Sequence, residues 1–183
     1  MTKYMNYLYE VDCLLFRIIN GKGKKKWLNR FFATITHMGG AFFTISVSIV
    51  LILFSTNLWK ATAIASGMAL AISSIPVFFV KNLFKRQRPY LVLDEIFVTD
   101  KPLKDHSFPS GHTTAIFSLI IPYICLNPLL IYFLLPIGLA VGISRIHLGL
   151  HYPSDVLVGA LLGSVTGYFT YSLMMTKFIF YFL

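Results

Sequence analysis

The stretch that decides the fold runs from residue 129 to residue 170 and reads LLIYFLLPIGLAVGI, then SRIHLGLHYPSD, then VLVGALLGSVTGYFT. Two apolar runs, about 129–144 and 153–176, flank a short polar segment rich in histidine and charge. Each run is near the ~20 residues that cross ~30 Å of hydrocarbon as a helix. The pattern therefore predicts two membrane helices joined at one face by a connection that carries reactive side chains.

Three more apolar runs precede these two, at about 31–55, 61–80 and 111–126. The composition agrees with a membrane protein: 56% of residues are hydrophobic, only 13% are charged, and the mean hydropathy is +0.72. A soluble domain carries about twice that charged fraction. The sequence therefore predicts an all-α, polytopic bundle of about five transmembrane helices.

Residues 4–20 predict an N-terminal amphipathic helix, because apolar side chains recur at helical spacing. Glu10, Asp12 and Arg17 interrupt the apolar run. Three charges at hydrocarbon depth would each be unfavourable by about 2.5–3.5 kcal/mol, so this helix is expected to lie in the membrane interface. We expect one domain over 1–183, with the interfacial helix and a basic run in 1–27 and the bundle in 28–183.

The net charge of +9 comes from sixteen Lys and Arg against seven Asp and Glu. The basic residues lie beside or between apolar runs, which favours anionic lipids and a phosphorylated substrate as partners over nucleic acid. Counting spans places four segments at one membrane face: the N-terminal helix, the end of the second span, the start of the third, and the connection between the fourth and fifth. The oligomeric state stays open.

Chemistry-bearing residues concentrate at that face. Lys81, Arg88 and Arg145 could surround the equatorial oxygens of a phosphoryl group. Ser110 and Gly111 open the third span, where free backbone N–H groups and the helix dipole favour an anion. No acidic cluster or Cys/His set is present to hold a metal, so cations are expected to supply the charge stabilisation, without a cofactor.

Histidines supply the remaining chemistry. His151 precedes the last span, and Asp155 in its first turn can reach back to fix the imidazole tautomer. His112 lies in the first turn of the third span and has no carboxylate partner in sequence, so it fits a general acid. His147 is expected to be structural and His37 to be a packed polar residue, whereas His106 stays open between an exposed loop residue and a lid.

Other polar or small residues have ordinary interpretations. Lys85 and Arg86 are expected to be interfacial charges, with their long side chains reaching the headgroups. Gly159, Gly163 and Gly167 recur every four residues on one face of the last span. Small residues at that spacing let membrane helices approach closely, so this stripe predicts packing rather than chemistry.

In these motifs the chain resembles the type 2 phosphatidic acid phosphatase superfamily. The Lys-x6-Arg-Pro motif matches Lys81, Arg88 and Pro89, and Pro-Ser-Gly-His matches Pro109 to His112. The Ser-Arg-x5-His-x3-Asp motif matches Ser144, Arg145, His151 and Asp155. Individually weak, the three motifs are specific together.

The resemblance implies a membrane lipid phosphatase with His151 as the nucleophile that forms a phosphohistidine, Asp155 as its orienting partner and His112 as the acid. It assigns phosphate binding to five residues: Lys81, Arg88, Ser110, Gly111 and Arg145. No metal is expected. Candidate substrates are phosphatidylglycerophosphate, phosphatidic acid and undecaprenyl diphosphate, and Gly111 favours a glycerolipid because some isoprenoid diphosphatases of the family replace this glycine.

The resemblance also implies an active site on the extracytoplasmic face of the cell membrane. Charge counting predicts the opposite, because the basic run in 22–30 lies at the same face and positive charge is normally retained inside. Two alternatives to the glycerolipid phosphatase remain: an undecaprenyl-diphosphate phosphatase of lipid carrier recycling, and a non-catalytic lipid-binding membrane protein or transporter.

Overall fold

The computed structural model describes residues 3–23, 25–99, 102 and 104–182. Within those residues every regular element is helical and no strand occurs, which agrees with the predicted all-α class. The α-helices are α1 (Lys3–Asn20), α2 (Lys26–Ile35), α3 (Ala41–Phe54), α4 (Asn57–Leu83), α5 (Pro89–Val92), α6 (Gly111–Leu126), α7 (Ile131–His147) and α8 (Pro153–Phe182). Short 3₁₀ turns lie at Gly21–Gly23, Thr36–Gly39 and Pro128–Leu130.

Among the described residues, three helical segments are long and apolar enough to cross a membrane: Asn57–Leu83, Pro128–His147 and Pro153–Lys177. A fourth span is reached if the bent segment Lys26–Gly39 plus Ala41–Phe54 counts as one. Helix α6 is apolar but has only 16 residues, about 24 Å at 1.5 Å per residue, which is less than ~30 Å of hydrocarbon. The five predicted spans therefore stay a prediction, with three or four supported by length and composition.

The first predicted span is not one continuous helix. Residues 31–55 divide into α2, a 3₁₀ turn and α3, and the two halves meet at a bend of 52°. Gly40 has an extended backbone at the break. A Cβ at Gly39 would lie 2.7 Å from the carbonyl oxygen of His112, so glycine permits the break to approach α6 closely. His37 lies in this turn and is exposed, which corrects its expected packing inside a span.

The predicted N-terminal helix forms α1, and its position relative to a membrane stays a prediction. Its large apolar side chains are mostly exposed, including Tyr4, Leu8 and Ile18. Phe16 and Asp12 are buried instead, on the face that meets the rest of the chain. The charge of Asp12 therefore gives no information about how deep α1 lies in a membrane, since protein rather than lipid surrounds its carboxylate.

The glycine stripe packs α8 against α6. Cβ atoms at Gly159 and Gly163 would lie 2.7 and 2.4 Å from the carbonyl oxygens of Ser110 and Thr114. At Gly167 a Cβ would meet Ile121 at 3.1 Å. The close approach confirms the stripe as a packing surface, and it fixes the start of α6 beside the start of α8.

Candidate active site

Four parts of the chain converge at one end of the bundle. They are the segment that follows α4, the loop before α6 with the first turn of α6, the connection between α7 and α8, and the break between α2 and α3. The connection turns sharply at Gly149, whose φ is +76° and whose added Cβ would lie 2.6 Å from the carbonyl oxygen of Phe97. This turn returns the chain so that the N–H groups of Leu150 and His151 both donate to the carbonyl of Arg145.

His151 is buried at the centre of this cluster, with 1% of its surface exposed. Its Nδ1 lies 2.7 Å from the carbonyl oxygen of Ser107 and 3.6 Å from Oδ2 of Asp155. Only the first distance is that of a hydrogen bond. Nδ1–H therefore donates to Ser107, which leaves the Nε2 lone pair to face Nη1 of Arg88 at 3.1 Å. The sequence predicted Asp155 for this tautomer-fixing contact, but the nearer acceptor is a backbone carbonyl.

The environment of His151 keeps its imidazole neutral. Burial lowers the pKa of His151 to about 3, and the positive charges of Arg88 and Arg145 act in the same direction, outweighing the opposing effect of Asp155. A neutral imidazole retains its lone pair across the physiological pH range. Nε2 can therefore act as a nucleophile without prior loss of a proton.

Asp155 is fully buried behind His151 and is densely hydrogen-bonded. Oδ2 accepts from Ser107 Oγ at 2.5 Å and from the backbone N–H of Tyr152 at 2.8 Å. Oδ1 accepts from Nη1 of Arg86 at 2.8 Å. Ser107 thus holds both the histidine, through its carbonyl, and the aspartate, through its hydroxyl. Asp155 reaches His151 largely through this shared neighbour.

Arg88 is buried and uses its guanidinium on protein acceptors. Nε donates to the carbonyl of Asp105 at 2.7 Å, and Nη1 donates to the carbonyl of Leu150 at 2.7 Å. Nη2 donates to Asp105 Oδ1 at 2.6 Å and lies 3.5 Å from the carbonyl of His106. Arg88 is therefore fixed in place beside Nε2 of His151.

Arg145 is equally buried but much less satisfied. Nη1 donates to Thr36 Oγ1 at 2.8 Å, and Thr36 belongs to the break between α2 and α3. Within the part of the chain that the structure describes, Nε and Nη2 of Arg145 have no hydrogen-bond partner. Buried donors without acceptors are unfavourable by about 1–3 kcal/mol each, and more when charged. An anion that accepts from both nitrogens would relieve this penalty.

Lys81 completes the cationic set from the last turn of α4. Its Nζ contacts Oδ2 of Asp105, so Asp105 bridges Lys81 and Arg88. Burial alone would raise the pKa of Asp105, but the hydrogen bonds and charges of Lys81 and Arg88 outweigh it and lower the pKa to about 2. A half-exposed carboxylate is thus ionised at neutral pH beside two of the predicted phosphate ligands.

The start of α6 lies beside these cations. Thr114 N–H donates to the carbonyl of Ser110 as the first bond of the helix, so the N–H groups of residues 111–113 precede the internal ladder. The N–H of Ser110 donates to the carbonyl of Asp155 at 3.0 Å. A Cβ at Gly111 would have Val77 at 3.8 Å as its nearest contact, which is ordinary van der Waals distance.

His112 follows in the first turn of α6 and faces the glycine break. A Cβ at Gly40 would lie 3.7 Å from Nε2 of His112. Arg145, His151 and Lys81 all lie within electrostatic range of the imidazole. The two histidines predicted to do chemistry therefore share one end of the bundle and one set of cations.

An apolar groove leads away from the cations. Its volume is about 850 Å³, and it lies between α3 and α4 with α6 at its back. Lys81 and His112 line one end, and Ile52 and Ile64 line other parts of its wall. Along α4, the distance from Ile64 to Lys81 is about 25 Å at 1.5 Å per residue. The groove is therefore long enough to hold much of an extended hydrocarbon chain.

Sequence reasoning missed several residues of the cluster. Arg86 was assigned to the interface, yet it contacts Asp155 and the buried Asp12 of α1. Asp105, Ser107 and Thr36 were not singled out at all. Asp105 and Ser107 precede the Pro-Ser-Gly-His motif by a few residues, so their position in the sequence could have indicated that they belong to the site. Thr36 lies in an apolar run, and nothing there distinguishes it from a packing residue.

The remaining histidines separate clearly. His147 is structural as predicted: its Nε2 lies 2.8 Å from Asn29 Oδ1, its Nδ1 lies 3.2 Å from the carbonyl of Ile19, and its ring packs on Phe32. His106 is half-buried, and its backbone carbonyl lies near Arg88. Its role stays open.

Known proteins are similar to this chain in sequence and in structure. "Bacitracin transport permease protein BcrC" of Bacillus licheniformis is 29% identical over 88% of this chain and 80% of its own length. "Phosphatidylglycerophosphatase B" of Bacillus subtilis is 26% identical over 76% of this chain and 72% of its own. The crystal structure of Aquifex aeolicus LpxE superposes with a TM-score of 0.78 at 29% identity, covering 86% of this chain and 93% of that one.

The family assignment rests on a match to a family model. The profile of the PAP2 superfamily matches residues 60–179, which is well over half of the chain and includes all three motifs. The buried His151 and the partly unpaired Arg145 lie in the same matched region, and this chain belongs to the PAP2 superfamily.

Proposed function

We propose that this chain hydrolyses a phosphate monoester or diphosphate of a membrane lipid through a phosphohistidine on His151. Nε2 attacks the terminal phosphorus, an N–P bond forms, and the bond from that phosphorus to the leaving oxygen breaks; this is the ester oxygen in a monoester and the bridging oxygen in a diphosphate. His112, when protonated, donates its proton to that oxygen, and the lipid alcohol or the lipid monophosphate leaves. Water, deprotonated by His112, then attacks phosphorus, and the N–P bond breaks to release inorganic phosphate and neutral His151.

Charge stabilisation comes from the protein's own cations. Within the described residues, Nε and Nη2 of Arg145 have no partner; Arg88 lies beside Nε2 of His151, and Lys81 contacts Asp105, which also accepts from Arg88. The N–H groups at the start of α6 add a third direction of approach. Preorganised donors of this kind stabilise a phosphoryl transition state without a metal ion. Activity that persists in excess chelator is expected; collapse on removal of divalent metal would contradict this part of the mechanism.

The substrate class follows from the groove. Its apolar walls begin at Lys81 and His112 and extend along α4, so a phosphate at the cations places an attached hydrocarbon chain in the groove. A glycerolipid such as phosphatidylglycerophosphate or phosphatidic acid fits this arrangement, as does a polyprenyl diphosphate. Membrane lipids are the expected surroundings, and nothing in the arrangement calls for nucleic acid.

The observation that carries the proposal is Nε2 of His151, held unprotonated and pointing at the cations. The test is phosphate release by purified protein in detergent from phosphatidic acid, phosphatidylglycerophosphate and undecaprenyl diphosphate. His151→Ala is expected to abolish release while lipid binding persists. Lys85→Ala is the control and should retain activity, because Lys85 is exposed in the segment that follows α4. Release by His151→Ala at the wild-type rate would rule out this nucleophile.

A non-catalytic lipid-binding protein would use the same cations without the histidine chemistry. Quenching the enzyme in alkaline detergent during turnover of a ³²P-labelled substrate separates the two functions. The phosphatase is expected to retain label that is acid-labile and base-stable, as a phosphohistidine is, and His151→Ala should lose it. Bound but unhydrolysed lipid with no protein-linked label would favour the binding protein.

We propose further that the chain is a multi-pass membrane protein with its site on the extracytoplasmic face. The resemblance favours this orientation, although the basic run near α2 favours the reverse. Reporter fusions after Leu183 and at Met1 decide between them. A C-terminus found outside the cytoplasm would place the site inside and overturn this orientation.

A further inference from the structure

Asp12 is a buried carboxylate on α1, outside the residues that match the family. Its two oxygens are both used. Oδ1 accepts from the backbone N–H of Ser154 at 2.9 Å, and Oδ2 accepts from Ser154 Oγ at 2.5 Å and from Nη2 of Arg86 at 2.6 Å. A residue of the N-terminal helix therefore caps the start of α8, where the predicted Asp155 lies.

Arg86 connects this carboxylate to the active site. Nη2 donates to Asp12, while Nη1 donates to Asp155 Oδ1 at 2.8 Å and to Ser154 Oγ at 2.7 Å. The guanidinium also lies over the ring of Tyr152, 3.9 Å from its centroid. Although burial opposes it, the carboxylates of Asp155 and Asp12 raise the pKa of Arg86, so the bridge stays charged.

The charges in this bridge depend on one another. Asp155 is fully buried and Asp12 nearly so, and one guanidinium lies between them. Loss of either partner of a buried pair leaves an uncompensated charge, which is strongly unfavourable. Without Asp12, Arg86 would be held only from the Asp155 side and could rotate. Any rotation would shift Asp155 and, through Ser107, the imidazole of His151.

We infer that Asp12 and Arg86 are positioning residues for the His151–Asp155 pair, so that helix α1 completes the active site. This inference rests on the proposed function, because it concerns the rate at which His151 is phosphorylated. The chain Asp12–Arg86–Asp155–Ser107–His151 is continuous in hydrogen bonds. Neither Asp12 nor Arg86 is among the residues proposed to bind the phosphate, so their effect is expected on turnover rather than on binding.

The experiment compares Asp12→Asn with Glu10→Gln, an exposed acidic residue on the same helix. Asp12→Asn keeps the shape of the side chain and removes its charge. Active sites are counted by vanadate titration, so that the rate refers to folded protein only. We expect kcat and the single-turnover rate of phosphohistidine formation to fall on the order of tenfold to a hundredfold, with KM within about twofold. Glu10→Gln should match the wild type.

Arg86→Lys is the second variant and guards against loss of folding. It keeps the charge but cannot bridge two carboxylates with separate nitrogens in a fixed plane. A lowered kcat per active site, with phosphate affinity retained, is expected here too. A kcat per active site within twofold of the wild type in Asp12→Asn would overturn the inference and leave Asp12 a purely structural cap. Failure of wild-type protein to hydrolyse any lipid phosphate would instead refute the proposed function.

Discussion

Arg88 and Arg145 come from two motifs and are buried to the same degree, yet their surroundings are opposite. Arg88 donates to three backbone carbonyls and a carboxylate, and its position does not depend on a ligand. Arg145 donates to one threonine hydroxyl, and two of its buried nitrogens have no partner among the residues that the structure describes. Protein contacts therefore hold Arg88 in place, whereas Arg145 has donors available to bind an anion. Sequence motifs alone assign both the same role.

Replacing each arginine by methionine should separate these roles most strongly. Arg145→Met is expected to lower kcat by about 10²–10³-fold, as loss of a preorganised donor does. Its Tm should be unchanged or higher, because an unsatisfied buried charge is removed. Arg88→Met should lose activity and also several degrees of Tm, since Asp105 loses a partner. Differential scanning fluorimetry and phosphate release measure both, and equal Tm losses in the two variants would contradict the comparison.

Asp105→Asn tests whether the carboxylate on Lys81 and Arg88 competes with substrate phosphate. Removing its charge frees two cations for the ligand. We expect the inhibition constants of inorganic phosphate and vanadate to fall by about tenfold, equivalent to about 1.4 kcal/mol. Asp94→Asn, at an exposed position of the same loop, is the control. Weaker inhibition in Asp105→Asn would show that the carboxylate positions the cations instead of competing for them.

Acid should destabilise the protein through His151 in a defined pH range. Its pKa is about 3 when folded and ~6.5 when unfolded, so the unfolded chain binds the proton more readily. The stability contributed by the neutral form is therefore complete above about pH 6.5 and is lost as the pH falls toward about 3. The Tm of wild-type protein should fall more between pH 7 and pH 4 than that of His151→Gln. Parallel Tm curves would contradict the buried neutral imidazole.

Gly111→Ala is expected to have the smallest effect. The nearest contact of an added Cβ is Val77 at 3.8 Å, so no atom must move. Activity on a phosphate monoester should stay within about threefold of the wild type, and alanine is the better helix former. A tenfold loss at unchanged Tm would show that the phosphate itself needs the space above Gly111. In that case the start of α6 would rank with Arg145 as an open anion site.

Much of the fold could be predicted because the sequence changes sharply from apolar to polar residues at the ends of the helices. The predicted starts at 111 and 153 are those of α6 and α8, and the glycine stripe of α8 has the predicted packing role. The bend at Gly39 could not be predicted, since glycines inside an apolar run are common in membrane helices. Its cause is the close approach of α6, which is a tertiary contact.

The candidate site divides in the same way. Spacing within motifs brought Lys81, Arg88, His112, Arg145, His151 and Asp155 together, and the structure places all six at one end of the bundle. The site is completed by three partners: Asp12, Arg86 and Asp105. They lie up to 142 positions along the chain from the groups they bind and share no local pattern with them. Pairing of charges over such separations follows from the folded topology, which a single sequence does not display.

The groove between α3 and α4 has a consequence for the order in which products depart. On the proposed function, hydrolysis yields one molecule that prefers oil and one that prefers water. The alcohol can withdraw sideways along the apolar walls while the anion is still bound to His151, and the anion can leave later toward the aqueous end. Each product is diluted in its own phase, so the two rarely meet again at the enzyme. The reverse reaction is therefore suppressed without a conformational change.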